Sequence, residues 1–259
     1  MSEPPPSQVL RAFGVEEAPQ HLCGGTGTSW RAGERVFKPC HSAVEWHWLA
    51  VHLPRVATEG FCLPLPLASI DGRWMVDGWC AQQWVEGLHC EEERWPDLFA
   101  VDAHLHDALA ALPQPAHLAL RADRWSRADR MAWGEAALPA NAQLHMLLDL
   151  RQPLDLPAQL IHGDLTGNVL FCPAGPPAVI DLSPYWRPRG YATAILAADL
   201  VCWHGVDPDA VLERVRPVTH FPQLLVRALL FRMATDLLAG AAHLDDHAPG
   251  ITLAVRLHA

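Results

Sequence analysis

Leu160-Ile161-His162-Gly163-Asp164-Leu165-Thr166-Gly167-Asn168-Val169-Leu170-Phe171 is the stretch from which the rest of the chain can be read, and Ala178-Val179-Ile180-Asp181 follows it closely. Both pieces set apolar runs beside a short polar cluster, the pattern of two buried strands that carry an acidic loop at their ends. The polar side chains are Asp164, Asn168 and Asp181, two carboxylates and an amide. Hard oxygens of this kind suit magnesium, and an aspartate suits the orientation of a phosphate-accepting hydroxyl. The set therefore points to metal-assisted phosphoryl transfer.

The order His162-Gly163-Asp164-Leu165, then Gly167-Asn168, then Ile180-Asp181 resembles the catalytic and metal motifs of the aminoglycoside phosphotransferase and choline kinase-like family, a branch of the protein-kinase-like fold. The resemblance implies a two-lobed α+β protein with a small N-terminal antiparallel sheet lobe with one helix and a larger, mainly helical C-terminal lobe. It implies that Asp164 is the catalytic residue at the acceptor hydroxyl and that Asn168 and Asp181 hold Mg2+. ATP is then the phosphoryl donor, and the acceptor is a small molecule carrying a hydroxyl. His162 is expected to brace the loop through backbone hydrogen bonds. Three residues separate Asp164 from Asn168 where the family usually has four. A nucleotide-binding pseudokinase or regulatory module is therefore the first competing reading, a metal-dependent hydrolase built on His162 and Asp164 is the second, and Gly167 supplies the backbone freedom that a shorter loop needs.

Composition narrows the class. Half of the 259 residues are apolar, enough for a sizeable core. No run is long enough to span a bilayer, and the N-terminus lacks a charged-then-apolar signal pattern, so a cytoplasmic protein without a membrane partner is expected. Seven scattered cysteines with no C-x-x-C pair read as reduced thiols. A formal charge of -10 argues against nucleic acid as a partner and is compatible with a cationic substrate. A monomer or weak dimer is expected. The chain has a single lysine, Lys38, among many arginines. Arginine does not replace the compact ammonium where a point charge must reach phosphates, which marks Lys38 for function.

Upstream of Lys38 lies Gly24-Gly25-Thr26-Gly27-Thr28-Ser29, a glycine-rich turn between strands. It has no Walker ending, yet its N–H groups can cradle phosphates, and Gly25, Thr26, Gly27, Thr28 and Ser29 are assigned to the nucleotide. Gly33-Glu34 marks a second tight turn, and Val36-Phe37-Lys38 ends a strand at Pro39. The Met1 to Val9 segment, rich in Pro and Ser, is expected to be disordered. Ser42-Ala43-Val44-Glu45 opens a helix running to about His52 with a capping-box pattern. Glu45 has two open readings, a helix cap or a partner for Lys38. Asp71-Gly72 predicts a hairpin turn, with Arg73 to Val85 as its second strand. The ending Gln82-Gln83-Trp84-Val85-Glu86-Gly87 resembles the family's hinge, which places the nucleotide base near the Gln83 carbonyl and the Val85 amide.

The small sheet lobe is thus assigned to residues 1–86 and the helical lobe to 87–259. Helices are predicted over Glu91–Leu112, Asp123–Ala137, Ala142–Leu150, Ala192–Trp203, Leu212–Arg216, Pro222–Ala239 and Leu253–Leu257. The spacing of His104 and His106 puts them on different faces, so neither is assigned to a metal. The segment from Leu182 to Tyr191 carries both tyrosines, a tryptophan and two arginines. It reads either as an acceptor-side wall or as a loop fixed by its aromatics. Asp199 is expected from the resemblance to anchor the catalytic loop.

Overall fold

A computed structural model describes residues 3–23, 27–89 and 91–259. In chain order the elements are α1 (Ser7–Ala12), β1 (Gln20–His21), β2 (Trp30–Ala32), β3 (Arg35–Pro39), α2 (Ala43–His52), β4 (Pro66–Leu67) and β5 (Trp79–Gln83). They continue with α3 (Glu91–Leu109), α4 (Arg124–Ala132), α5 (Ala142–Leu150), β6 (Gln159–His162), β7 (Val169–Leu170), β8 (Ala178–Val179) and β9 (Pro184–Arg187). The chain closes with α6 (Arg189–Cys202), α7 (Pro208–Val215), α8 (Phe221–Leu238) and α9 (Ala248–Arg256). These form two compact units, Met1–His89 with Gly167–Asp181, and Cys90–Thr166 with Leu182–Ala259.

The first unit is built on an antiparallel sheet of order β1-β2-β3-β5-β4. Gly33-Glu34 makes the β2–β3 turn, with Ala32 opposite Arg35 and Gly33 at φ 56°. The strand that ends at Gln83 is shorter than predicted. It begins only at Trp79, because Asp77 (φ 48°) and Gly78 (φ 79°) make a second turn that pairs Val76 with Trp79. Positive φ at both central residues is the geometry of a tight hairpin turn. The N-terminus also departs from expectation. Helix α1 starts at Ser7, and Val9, Leu10 and Phe13 are buried in one core with Phe37, Val76 and Ala81. The Phe13 ring meets Phe37 edge-on at 5.6 Å, so apolar burial outweighs the polar, proline-rich lead-in.

Helix α2 begins where the capping signal put it, with the Ser42 side chain accepting from the Glu45 N–H at 3.2 Å. The β7–β8 hairpin also belongs to this unit. Cys62 bridges to Ala178, and Leu88 exchanges two backbone hydrogen bonds with Phe171. Gly87 is required there, since a Cβ would lie 2.8 Å from the Leu170 Cβ.

The second unit packs helices around α8, whose residues Leu224 to Thr235 are all buried. Proline in its first turn suits a helix start, and burial on every side suits a central helix. Helix α6, buried from Tyr191 to Val201, lies against it. Asp123 caps α4 and Asn141 caps α5, each accepting backbone N–H groups. The two-stranded ladder β6–β9 pairs Gln159 with Arg187 and His162 with Pro184. The segment read as a loop up to Tyr191 is therefore strand β9 followed at once by α6. No described helix is long and apolar enough to cross a membrane.

Candidate active site

In the first unit, strand β3 places Lys38 opposite Cys80 of β5. The Lys38 ammonium makes an ion pair with the Asp181 carboxylate. Lys38 is the more buried partner, at 16% exposure against 46% for Asp181. Asp181 follows the β7–β8 hairpin, in which Val169 pairs with Val179. The Ile180 N–H donates to the Asn168 carbonyl at 2.8 Å, which extends the ladder by one rung. Asn168 and Asp181 thus sit together at one end of a hairpin, with the lone lysine on Asp181. Asp181 has a φ of 53°, a left-handed conformation that side chains other than glycine adopt at a cost.

The other nucleotide-assigned residues of this unit fall as follows. Gly25 and Thr26 lie outside the described residues. Gly27, Thr28 and Ser29 are in the β1–β2 loop, where Gly27 has φ 65° and its carbonyl meets His21 Nε2 at 2.9 Å. The Ser29 carbonyl accepts from the Leu22 N–H at 3.0 Å, closing the loop's base. Gln83 ends β5, and its side-chain oxygen accepts from the Leu65 N–H at 3.0 Å. Val85 follows Trp84, whose N–H donates to the Glu34 carbonyl at 3.0 Å. Glu45 stands in the first turn of α2, with its N–H on Ser42 as a cap requires. The lysine's ion pair is with Asp181.

In the second unit, Asp164 follows β6. Its Oδ1 accepts from Arg232 Nη2 at 2.8 Å, and the side chain is 44% exposed. The same guanidinium grips Asp199, from Nε at 2.8 Å and from Nη2 at 2.6 Å. Asp199 also accepts from Thr166 Oγ1 at 2.7 Å. Asp199 of α6 and Arg232 of α8 thereby hold both Asp164 and Thr166. Burial works against the Arg232 charge, but Asp199 and Asp164 outweigh it and keep the guanidinium protonated well above the usual arginine range.

His162 is buried, and it braces its segment on both sides. Its N–H donates to His106 Nε2 at 3.0 Å, and its Nδ1 accepts from the Ser183 N–H at 3.0 Å. His106 is itself buried. Its Nδ1 lies 2.8 Å from the Asp102 carbonyl and 3.1 Å from Asp102 Oδ1, while Oδ2 of Asp102 accepts from Thr193 at 2.6 Å. Gly163 is held between these contacts, because a Cβ there would lie 2.5 Å from the Tyr185 ring.

The segment from Leu182 to Tyr191 is held in place by strand pairing and by its aromatics. Tyr185 and Tyr191 are buried, and Arg187 is spent on Asp129 and Glu135, with contacts of 2.7 Å and 2.6 Å. Sequence reasoning missed Arg232 and the Thr193–Asp102–His106 chain. A signal existed for Arg232, a lone charge inside Leu229-Leu230-Phe231-Arg232-Met233-Ala234. Nothing comparable marks His106.

Among the described residues no group of three or more His, Cys, Asp or Glu could hold a metal ion. The chemistry of the Asn168–Asp181 pair nonetheless fits magnesium. Magnesium takes few protein oxygens and completes its shell with phosphates and water.

Residues 35–185 match the family model described as APH, the phosphotransferase enzyme family. The chain belongs to the APH phosphotransferase enzyme family. Solved structures share its fold. A thermostable mutant of aminoglycoside phosphotransferase APH(4)-Ia is 16% identical, with a TM-score of 0.63 over 96% of this chain and 97% of that one. Spectinomycin phosphotransferase APH(9)-Ia, in complex with ADP and spectinomycin, is 14% identical, with a TM-score of 0.61 over 96% of each chain. Choline kinase LicA from Streptococcus pneumoniae is 12% identical, with a TM-score of 0.59 over 96% of this chain and 95% of that one. A comparison with curated proteins finds no match.

Proposed function

We propose that this APH-family protein is an ATP- and Mg2+-dependent phosphotransferase that moves the γ-phosphate to a hydroxyl of a small molecule. The observation that carries the reading is the ion pair between the single lysine, Lys38, and Asp181. It joins a cation suited to phosphates and a carboxylate suited to magnesium. Asn168 and Asp181 would hold the ion, and Lys38 would neutralise phosphate charge. Magnesium, when bound, neutralises charge on the phosphates during transfer. Gly27, Thr28 and Ser29, with Gly25 and Thr26, are assigned to the phosphates, and Gln83 and Val85 to the base. Asp164 orients the acceptor hydroxyl and takes its proton. The Arg232 contact occupies one carboxylate oxygen, Oδ1, and so fixes the rotamer of Asp164.

The acceptor class follows from charge and from the relatives. The net charge of -10 and the loss of Arg187 to internal ion pairs favour a cationic acceptor. One relative was solved with ADP and spectinomycin, and another is named a choline kinase. The test is magnesium-dependent ATP consumption across a panel of amino-alcohols, aminoglycosides and sugars. Asp164→Asn is expected to abolish transfer while nucleotide still binds, and full turnover in that variant would sink the assignment. Nucleotide binding with no ATP consumption on any acceptor would instead favour a pseudokinase.

A further inference from the structure

Helix α3 carries a buried histidine that the proposed function does not use. His106 is fully buried, and it meets strand β6 at both ends. Its main-chain carbonyl accepts from Gln159 Nε2 at 2.7 Å, and its ring Nε2 accepts from the His162 N–H at 3.0 Å. Gln159 is the first residue of β6 and His162 the last. Among the described residues β6 has one strand neighbour, β9, and the residue opposite His162 there is Pro184. The His162 N–H is thus a buried strand donor whose acceptor comes from a helix. A main-chain carbonyl only accepts and a main-chain N–H only donates, so both contacts of the His106 ring demand the same tautomer. Nδ1 carries the hydrogen and donates it to the Asp102 carbonyl at 2.8 Å, with Asp102 Oδ1 at 3.1 Å. Nε2 keeps its lone pair for His162. Asp102 is tied in turn to α6, since its Oδ2 accepts from Thr193 Oγ1 at 2.6 Å.

We propose that His106 is a positioning residue for Asp164: it clamps β6 at both ends against α3 and so sets where the strand delivers the loop that follows. The role of Asp164 in this inference rests on the proposed function. Asp164 lies midway between His162 and Thr166 in the chain. From one side Arg232 and Asp199 hold Asp164 and Thr166, through α8 and α6. From the other side His106 holds the approach to Asp164, through α3. It acts on the backbone of His162 and not on the reacting groups. Loss of the Nε2 acceptor leaves a buried N–H to find another partner, so the end of β6 shifts. That shift carries Asp164 with it, and a misplacement of about 1 Å is enough to slow transfer severely. Side-chain reach sorts the replacements. Glutamine extends as far as Nε2 and offers an oxygen there. Asparagine ends near the position of Nδ1 and does not reach His162. Both are neutral amides, so the contrast between them reports on the acceptor.

The experiment compares wild type, His106→Gln and His106→Asn in the full chain. In wild type the His106 ring, assigned by NMR through its own backbone resonances on isotope-labelled protein, is expected to be neutral with its hydrogen on Nδ1. A ring with its hydrogen on Nε2 overturns the proposal, and this result does not depend on either variant folding. Deuterium exchange of the His162 amide should be at least about tenfold faster in His106→Asn and close to wild type in His106→Gln. Equal exchange rates in the two variants overturn the clamp. In the transfer assay, kcat should fall at least about tenfold in His106→Asn with KM for ATP unmoved, and His106→Gln should recover most of it. A loss carried by KM, or the same kcat in both variants, overturns the positioning role. If no acceptor supports ATP consumption by wild type, the proposed function fails, while the tautomer and the amide exchange still decide the clamp.

Discussion

Arg232→Met isolates the buried ion network beneath Asp164. Methionine keeps the apolar stem in α8 and removes only the guanidinium. Asp199 is 1% exposed and loses both of its Arg232 contacts, retaining the Thr166 hydroxyl. A carboxylate buried without a cation stays protonated in the folded chain, whereas the unfolded chain releases that proton near pH 4. The folded-state pKa of the variant is thus raised above its unfolded value, so the folded state holds more protons and stability falls as pH rises through that window. Each pH unit costs about 1.4 kcal/mol, which amounts to about 4 kcal/mol at pH 7 and little near pH 4. Breaking a buried pair by removing one partner costs about 3–5 kcal/mol, which agrees. The exposed side of the network adds little, since Asp164 is 44% exposed. Urea unfolding followed by tryptophan fluorescence at pH 7.5 and pH 4.5 reads both quantities. A loss under about 1 kcal/mol at pH 7.5, or one that fails to shrink at pH 4.5, refutes the reasoning. Combining Arg232→Met with Asp199→Leu should recover most of the stability, yet transfer should stay low because Thr166 has lost its acceptor.

Other positions test separate parts of the site. Asp181→Gly relieves the left-handed backbone by about 1 kcal/mol but takes the carboxylate from the Lys38 ammonium, so thermal melts should move little while ATP consumption shows magnesium-dependent transfer lost. Gly163→Ala would set a Cβ 2.5 Å from the Tyr185 ring and should cost about 1–3 kcal/mol by urea unfolding. Ser42→Ala should cost about 1 kcal/mol through loss of the α2 cap, again by urea unfolding. Lys38→Arg should keep the fold by circular dichroism and lower kcat/KM by about a hundredfold, since a planar fork does not replace a point ammonium.

Local signals marked the candidate site residues in the sequence. Asp164, Asn168 and Asp181 stand out because polar residues interrupt apolar runs. Lys38 stands out as the single lysine, and the α2 start is written in Ser42 and Glu45. Composition and turn residues also carried the antiparallel sheet and the helical remainder. They misjudged the segment before β5, where Asp77-Gly78 turns the chain again and delays the strand to Trp79. They also misjudged the N-terminus, where Val9 and Leu10 of α1 and Phe13 just after it find a core that only the folded sheet provides.

The partners of these residues come from distant parts of the chain, and tertiary structure alone supplies them. Asp164 and Asp199 take their shared cation from Arg232 on α8, and His162 takes its acceptor from His106 on α3. Arg187 looked available for an anion until packing set it against Asp129 and Glu135. The physical reason is that strand and helix periodicity, capping and turn chemistry act over a few residues and leave a trace in local order. Satisfying a buried charge requires whichever partner the fold delivers, and that choice leaves no local trace.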